Sequence, residues 1–362
     1  MLSPFSSKAA SSERLISLAQ GMRHDIKIIL PMIDKYGVSE KNKVFYFPIK
    51  NKSFIKLLPY VIKSLIFIRK EEPDLVYFIK PHLFTFISAV FYKSINTKCK
   101  IAFDCDEWDP ATLKDNNAPF YQILTTEILA KLSFKFADKI IYSNELIKKE
   151  KIPQKYWNKS FYLPNGVDSK LFKAVKKESN EFNLIFVGLL YKINHIISII
   201  DAVDELSKKI DKVRCYIIGD GPKRRELEEI VMKKNLRKYF IFTGMVNHHD
   251  LPNFIKLGDV LIAPFSDLGS IRYQSNVKIF EYMASGKPIV ASDVGEIKRL
   301  LAGGKAGYIV PPGNSKALAD AIMKIYKDKN GAKIKSAYAR ELVEKKYDWR
   351  ILAKNLSNYL VN

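Results

Sequence analysis

Short runs of apolar, β-branched and aromatic residues alternate with helical segments along this chain of 362 residues. The predicted strands are 25–31, 43–48, 74–79, 100–104 and 138–143 in the first half, and 183–188, 214–219, 239–244, 259–264, 288–292 and 307–311 in the second. Strands that alternate with helices pair in parallel, because each helix carries the chain back to the start of the next strand. The sequence therefore predicts an α/β protein with two doubly wound parallel sheets.

A linker is predicted between the two sets of strands. The segment 161–180 has a Pro-Asn-Gly turn followed by a polar, Lys-rich stretch. A turn followed by such a stretch is typical of a connection between domains. The chain length also favours two domains over one. We place the boundary between 165 and 166. In open parallel sheets, ligands bind beyond the carboxyl ends of the strands, so the residues that follow each strand are the candidates for a site.

The net charge of +22 narrows the classes of partner. A basic protein suits nucleic acid, an anionic membrane surface or phosphorylated small molecules. The charge is spread over both halves and no nucleic-acid module is recognisable, so no nucleic-acid partner is expected. The three cysteines have no CxxC spacing, which argues against a disulfide framework or a zinc site and fits a reducing compartment. No secretory signal is visible, and we expect a cytoplasmic protein.

Two apolar segments bear on membrane contact. Segment 54–70 is broken by Lys56, Pro59 and Lys63, and segment 83–92 is short, whereas a spanning helix needs about 20 apolar residues. Basic residues surround the apolar face of 54–70, so this segment is a candidate to lie on anionic lipid at the inner face of the membrane. The alternative is a crossover helix with a solvated basic edge, packed on a sheet.

The stretch SNVKIFEYMASGKPIVAS, which begins at Ser275, combines several local signals. Ser275 and Asn276 are good N-cap residues for a helix that Gly286 ends, and a short buried strand follows. The free N–H groups at such a helix start can hold a phosphate. Glu281, about one turn further in, is placed to accept hydrogen bonds from a pair of hydroxyls. The alternative is an ordinary amphipathic helix.

The second half carries a series of motifs in register. They are PNGVDSKLF (164–172), FVG (186–188), IIGDGPKRRELEE (217–229), FTGMVNHHDLPNFIKLGDVLIAPFS (242–266), KIFEYMASGKPIVASDVGEIKRLL (278–301) and GYIVPPGNSKALADAI (307–322). In order and spacing these motifs resemble the donor domain of family-4 glycosyltransferases, over about 160 to 350. The resemblance implies the GT-B fold, in which two Rossmann-like domains face a central cleft. It also implies that the last helix (347–362) packs back on the first domain (1–165), leaving 166–346 as the donor-binding domain.

The resemblance further implies the activity and the donor site. The protein would be a retaining, metal-independent hexosyltransferase that takes a sugar from a UDP or GDP sugar and needs no other cofactor. Glu281 would bind the ribose, the loop before it the diphosphate, and the 245–246 segment the base. A helix N-terminus and Lys278 can stabilise the charge of the departing diphosphate. The candidate donor-binding residues are Gly188, Lys192, Gly219, Lys223, Met245, Val246, Ser275, Asn276, Val277, Lys278 and Glu281.

Three positions depart from the family pattern. Tyr273 stands where the first Glu of the Glu-x7-Glu motif would fall, Leu189 where an Arg binds the diphosphate, and Asn194 where a Lys does so. The candidates to replace these cations are Lys192, Lys223 and Arg272. The departures support a different class of function, a non-catalytic or regulatory subunit that keeps the GT-B fold.

The first half resembles the acceptor domain of the family more weakly. FDCDEWDP (103–110) follows a predicted strand at the place where the family carries an acidic or histidine pair. Asp106 and Glu107 are therefore the candidate catalytic residues, for acceptor activation or sugar contact, and the alternative is a solvated loop. Asp104-Cys-Asp106 has the form of a metal-binding DxD motif, but no metal site is expected.

The remaining candidates concern the chain start, the histidines and the acceptor. Ser6, Ser7 and Lys8 are candidates to approach the donor phosphate. His248 and His249 are expected to cap a helix at the surface. The basic charge favours a lipid-linked saccharide or a polysaccharide as the acceptor, in the synthesis of cell-surface glycans.

Overall fold

The computed structural model describes residues 10–22, 25–26, 28–32, 44–48, 58–173, 181–191, 194–267 and 269–361. The chain divides into two compact units. The first comprises Met1–Asn165, Tyr273–Ser275 and Trp349–Asn362, and the second comprises Gly166–Arg272 and Asn276–Asp348.

The elements follow one another in a regular strand and helix rhythm. Up to residue 162 they are α1 (Ala10–Gly21), β1 (Ile28–Met32), β2 (Val44–Pro48), α2 (Leu58–Glu71), β3 (Leu75–Ile79), α3 (Leu83–Ile95), β4 (Lys100–Cys105), α4 (Asp109–Asp115), α5 (Phe120–Phe136), β5 (Lys139–Tyr142), α6 (Glu145–Glu150) and β6 (Ser160–Tyr162). Beyond it they are β7 (Phe182–Val187), α7 (Asn194–Ser207), β8 (Val213–Ile218), α8 (Arg224–Lys233), β9 (Phe240–Gly244), α9 (Leu251–Ile255), β10 (Val260–Ala263), α10 (Val277–Ala284), β11 (Ile289–Ser292), α11 (Ile297–Leu300), β12 (Tyr308–Val310), α12 (Ser315–Lys327), α13 (Lys329–Leu342) and α14 (Trp349–Val361).

The first unit contains a parallel sheet of order β3-β4-β5-β6 and a parallel pair, β1 with β2. Strand side chains alternate between two cores, as the pleat requires. On β3, Val76 and Phe78 belong to the core that α3 and α5 cover. Tyr77 and Ile79 belong to the opposite core, which contains residues of α1 and α14. Both faces of this sheet are therefore covered by helices, which explains why its strands read as continuous apolar runs.

The second unit is built on a six-stranded parallel sheet of order β12-β11-β10-β7-β8-β9. The strand order runs outward from β7 in both directions, so the switch point lies between β7 and β10. Leu184 and Phe186 of β7 point into one core, and Ile185 points into the other. The predicted α/β class with doubly wound parallel sheets is thus confirmed. A ligand of such a sheet binds at the carboxyl ends of the strands beside the switch point.

One sequence prediction is corrected by the topology. The predicted linker began at 161, but Ser160–Tyr162 forms the edge strand β6, which pairs in parallel with β5. A strand of three residues is too short to show an alternating pattern. Among the described residues, no helix has the length and apolarity that a crossing of the bilayer requires.

Candidate functional site

The carboxyl ends of β7, β8 and β9 are joined by backbone hydrogen bonds that glycines donate. The Gly219 N–H donates to the Gly244 carbonyl at 2.9 Å, and the Gly188 N–H donates to the Ile218 carbonyl at 3.0 Å. A Cβ placed on Gly219, whose φ is +133°, would lie 2.0 Å from the Gly188 carbonyl oxygen. Only glycine fits at this position. The glycine at 219 thus permits the close approach of two segments of this chain.

Lys278 lies beside the switch point, over Gly188. A Cβ on Gly188 would be 2.8 Å from the Lys278 Nζ. The ammonium also stands 4.9 Å from the ring centroid of Phe186 and 5.3 Å from that of Phe265. Phe186 lies near the end of β7, and Phe265 follows the end of β10. The lysine of α10 therefore points toward the carboxyl edge of the sheet.

The Lys278 ammonium is buried, and the part of the chain that the structure describes provides no close counter-ion. Burial lowers its pKa to about 8, while the negative charge of Glu281 acts in the opposite direction. Within the described ranges, no carboxylate forms an ion pair with this ammonium. A desolvated cation without an ion-pair partner favours an anion from solution, since the anion would restore the lost solvation.

Helix α10 begins at Val277, as the sequence predicts, but its start is not capped as expected. Asn276 is the N-cap residue, and its side chain makes no capping hydrogen bond. Ser275 is grouped with the first unit, where its hydroxyl accepts from the Asn165 N–H at 2.8 Å and its carbonyl accepts from the Asn165 side chain at 2.6 Å. Asn276 therefore leaves the N–H groups of the first turn of α10 without a cap, and no side chain among the described residues replaces it, which suits an anion.

Glu281 is buried, with 5% of its surface exposed. Its Oε1 lies 2.7 Å from the Nε2 of His248, and the His248 ring stands 5.6 Å from the ring of Phe172. The prediction that His248 caps a helix is wrong, because Asp250 is the N-cap residue of α9. His248 instead holds the carboxylate from a loop 33 residues away, a distance at which sequence reasoning had no signal.

Of the remaining predicted donor residues, some are exposed, one packs against the core, and one lies outside the residues that the structure describes. Met245 is largely exposed, and Val246 packs partly buried against the core beside α10. Lys223 is exposed, and its ammonium bonds the Glu226 carboxylate at 2.7 Å. Leu189 is exposed at the position where the family has an arginine. The candidates outside the described residues are Lys192, Ser6, Ser7 and Lys8, and the side chain of Asn194 also lies outside them.

A buried charge cluster lies at the carboxyl ends of β3 and β4 in the first unit. Lys80, only 3% exposed, contacts Glu107 and lies 3.0 Å from the Asp109 Oδ1 and 3.4 Å from the Asp106 Oδ1. The two strands are parallel neighbours, so their ends bring Lys80 beside the acidic loop. The alternative of a solvated loop is therefore wrong.

This cluster contains more carboxylates than cations. Burial raises the pKa of Asp106 to about 7, and Lys80 opposes that shift. The pKa of Asp109 rises to about 6 for the same reason. One ammonium cannot balance three carboxylates in a place of low solvation, so the pKa values of Asp106 and Asp109 both stay above their ordinary range. Sequence reasoning did not identify Lys80.

The two aspartates of the DxD-like motif have separate partners. Asp104 is fully buried, and it accepts from the Arg14 Nε at 2.8 Å and from the Tyr77 hydroxyl at 2.5 Å. Arg14 is buried as well, and it also donates to the carbonyl of Leu163 at 2.8 Å. Asp106 faces Lys80 instead. The two carboxylates therefore have different cationic partners.

Tyr273 is part of the core of the first unit. Its hydroxyl donates to the Glu150 Oε2 at 2.5 Å, and the Lys151 ammonium lies 4.9 Å from its ring centroid. The next residue, Gln274, donates to the Glu107 Oε2 at 3.3 Å. The residue at the first position of the Glu-x7-Glu motif thus has a packing role, and it offers no carboxylate to a sugar.

Comparison with known proteins shows a similarity that lies mainly in the second unit. Residues 181–328 match the family model for glycosyl transferases group 1. The alpha-D-kanosaminyltransferase of Streptomyces kanamyceticus is 27% identical over 195 residues, covering 51% of this chain and 49% of that protein. The phosphatidyl-myo-inositol mannosyltransferase of Mycobacterium leprae (strain TN) is 28% identical over 199 residues, covering 54% and 51%. The chain thus spans about half the length of these curated relatives.

Solved structures extend the likeness to the whole chain. Sucrose-phosphate synthase from Thermosynechococcus elongatus superposes with a TM-score of 0.80 at 17% identity, covering 99% of this chain and 98% of that one. HepE from Anabaena in complex with UDP-glucose gives a TM-score of 0.76 at 18% identity, with coverage of 99% and 98%. At sequence identities this low, the structural similarity shows the fold alone. The chain therefore has the GT-B fold seen in glycosyltransferases, and its residues 181–328 are similar to the glycosyl transferases group 1 family.

Proposed function

We propose that the protein is a retaining, metal-independent hexosyltransferase that moves a sugar from a UDP or GDP sugar to an acceptor, with no cofactor besides the donor itself. The observation that carries this proposal is the Lys278 ammonium, which is desolvated beside the switch point of the second sheet without an ion-pair partner among the described residues. Carboxylates and phosphates are the anions that such a site attracts, and the family match favours a diphosphate.

The geometry of α10 supports the proposed donor site. Lys278 and the uncapped first turn of this helix supply positive charge to the diphosphate, which gains negative charge as the sugar departs. Charge supplied in this way takes the role that a divalent cation has in other transferases. Glu281 accepts hydrogen bonds from the ribose hydroxyls, and His248 fixes the orientation of its carboxylate. The 245–246 segment forms one side of the base site.

The acceptor side rests on the acidic cluster of the first unit. A general base works best when its pKa lies near the operating pH, and the pKa of Asp106 is about 7. Asp106 would accept the proton of the attacking hydroxyl. Glu107, held by Lys80 and Gln274, would hydrogen-bond the acceptor or the transferred sugar. Retention of the anomeric configuration comes from the family resemblance.

The proposed acceptor is a lipid-linked saccharide or a polysaccharide of the cell surface, reached from the cytoplasmic face of the membrane. Two observations support this class. The chain carries a net charge of +22, which suits an anionic bilayer. One relative is named for transfer of mannose to phosphatidyl-myo-inositol.

A non-catalytic GT-B subunit is the second candidate. Leu189 is exposed where the family has an arginine, and Lys223 is engaged by Glu226. Turnover separates the two candidates. Release of UDP or GDP from a panel of nucleotide sugars, measured with a membrane extract as the source of acceptor, should exceed that of the Lys278→Ala variant. Nucleotide binding without any turnover, over the whole panel, would favour the non-catalytic subunit.

A further inference from the structure

The exposed apolar side chains of the protein are concentrated on one part of the first unit. Among the described residues, ten of the eighteen exposed large hydrophobic side chains lie on α2, α3 and α5. They are Ile62, Ile66, Ile87, Phe91, Ile95, Phe120, Tyr121, Leu124, Ile128 and Phe136. The other eight are distributed over the second unit and the end of α14. Single exposed hydrophobic residues are ordinary, but a concentration of them indicates an interaction site.

The three helices form one layer. Helix α2 packs against α3, and α3 packs against α5. The inner sides of α3 and α5 bury Phe84, Phe86 and Phe134 in the core over the sheet. The exposed residues follow helical spacing on the opposite sides: Ile87, Phe91 and Ile95 are four residues apart on α3, so they form one stripe. We call the outward side of α2, α3 and α5 the helical face.

The charged residues of α2, α3 and α5 are mostly basic. The helices carry six basic residues against two acidic ones. The basic residues are Lys63, Arg69, Lys70, Lys93, Lys131 and Lys135, and the acidic ones are Glu71 and Glu127. Lysine is depleted from the centres of protein interfaces. Lysines beside exposed aromatic and aliphatic side chains are instead the composition of a surface that lies in the headgroup region of anionic lipid.

We propose that the helical face docks on an anionic phospholipid bilayer, with Phe91, Phe120 and Tyr121 entering the boundary between headgroups and acyl chains. Phe91 is 52% exposed and Phe120 is 76% exposed, so both can leave water without a change of fold. The surface extends well beyond the 54–70 segment that the sequence indicates. Docking does not depend on the donor chemistry. Its purpose, delivery of a lipid-borne acceptor, rests on the proposed function.

Vesicle flotation of the purified full chain tests the proposal. The parent protein should float with vesicles of phosphatidylcholine and phosphatidylglycerol, and much less with phosphatidylcholine alone. The variant Phe91→Ser/Phe120→Ser should lose about tenfold or more in partitioning to the anionic vesicles, because two aromatic side chains no longer enter the lipid. The matched control is Met232→Ser/Ile334→Ser, at residues 54% and 72% exposed on the second unit, and it should bind like the parent.

Three results would overturn the docking proposal: no flotation of the parent with either vesicle, equal flotation of the serine variant and the parent, or equal losses in the variant and the control. The oligomeric state, measured by light scattering without vesicles, gives a fourth result that would overturn the proposal. If the parent is a dimer and Phe91→Ser/Phe120→Ser is a monomer, the helical face binds a second copy of the chain instead of lipid.

The depth to which a side chain enters the bilayer can be measured independently of the change in flotation. Phe120→Trp should show a blue-shifted emission that brominated lipid quenches, after subtraction of the parent signal, whereas Ile334→Trp should show neither effect. An unquenched Trp at 120 in vesicle-bound protein would contradict the assigned face. Thermal stabilisation by UDP or GDP, measured without vesicles in the same proteins, separates the two proposals. If the nucleotide stabilises the parent but the parent does not float with vesicles, only the docking proposal fails. If the parent floats but no nucleotide stabilises it, only the donor site fails.

Discussion

The Lys278 Nζ occupies the space that a side chain at residue 188 would need: a Cβ built on Gly188 would lie 2.8 Å from it. The glycine that follows β7 therefore leaves room for the lysine of α10 to reach the carboxyl edge of the sheet. This relationship brings together two sequence motifs about 90 residues apart, and the proposed anion site depends on it.

Replacement of Gly188 by Ala should displace the Lys278 ammonium and weaken nucleoside diphosphate binding by about 1–2 kcal/mol, of the order of a hydrogen bond to a charged group. Isothermal titration with UDP and GDP measures the change. In a Lys278→Ala background, the added Gly188→Ala should cost little more, because the two changes remove the same interaction. Additive losses would show that Gly188 acts without Lys278.

Glu281→Ala should weaken nucleotide binding by about 1.5–3 kcal/mol if the carboxylate makes charge-assisted bonds to the ribose. His248→Ala should cost less, because it only frees the orientation of that carboxylate. His249→Ala is the matched control at the neighbouring exposed position, and it should bind nucleotide like the parent. Equal affinities for the Glu281 variant and the parent would remove Glu281 from the site.

The affinity for a diphosphate should fall as the pH rises through about 8, since the pKa of Lys278 is lowered to that value and the ammonium loses its charge above it. Below this pH the charge is present and affinity is steady. Lys278→Arg keeps its charge throughout this range and should lose the pH dependence. The pH dependence of the Lys278→Arg variant is subtracted from that of the parent, between pH 7 and pH 9, about one pH unit on either side of the pKa. If no change in affinity remains, Lys278 is not the group that titrates.

The pKa of Asp106, raised to about 7 from an ordinary value of 3.8, has a consequence for stability. Between these values the folded state binds more protons than the unfolded chain, so the free energy of unfolding should fall as the pH rises from about 4 to about 7. Asp106→Asn should reduce this slope. Chemical denaturation over the range measures it, and a slope unchanged by the substitution would place the pKa of Asp106 near its ordinary value.

Transfer activity should depend on the same group. If Asp106 is the base, kcat should rise with pH through about 7. Lys80→Met removes the cation that lowers the pKa of Asp106, so the midpoint of that rise should move to higher pH. A midpoint that stays in place in Lys80→Met would assign the titration to another group.

The strands of both sheets could be predicted because they are buried on both faces and read as continuous apolar runs, as in 259–264 and 288–292. The loop, helix and strand around Glu281 were likewise predictable, since each boundary has a local signal in Asn276 or Gly286. The edge strand β6 was not, because three residues carry no periodicity.

The contacts at the candidate sites that were not predicted differ in how far apart their partners lie in the sequence. The contacts of Lys80 and of His248 join segments 27 and 33 residues apart, and nothing in the local sequence of either residue marks them. Lys223 was expected to be available to a phosphate. Glu226, three residues further along the same helix, binds it, and that spacing was visible in the sequence.

Thermal unfolding of the parent, Lys278→Ala and Lys223→Ala with UDP, GDP, ADP and their sugars tests the donor site most directly. A nucleotide at 100 times its dissociation constant stabilises a protein by about 2.7 kcal/mol. We predict that UDP or GDP stabilises the parent and Lys223→Ala to a similar extent, and that Lys278→Ala loses most of the effect. Equal stabilisation of all three proteins, or none by any nucleotide, would contradict an anion site at Lys278.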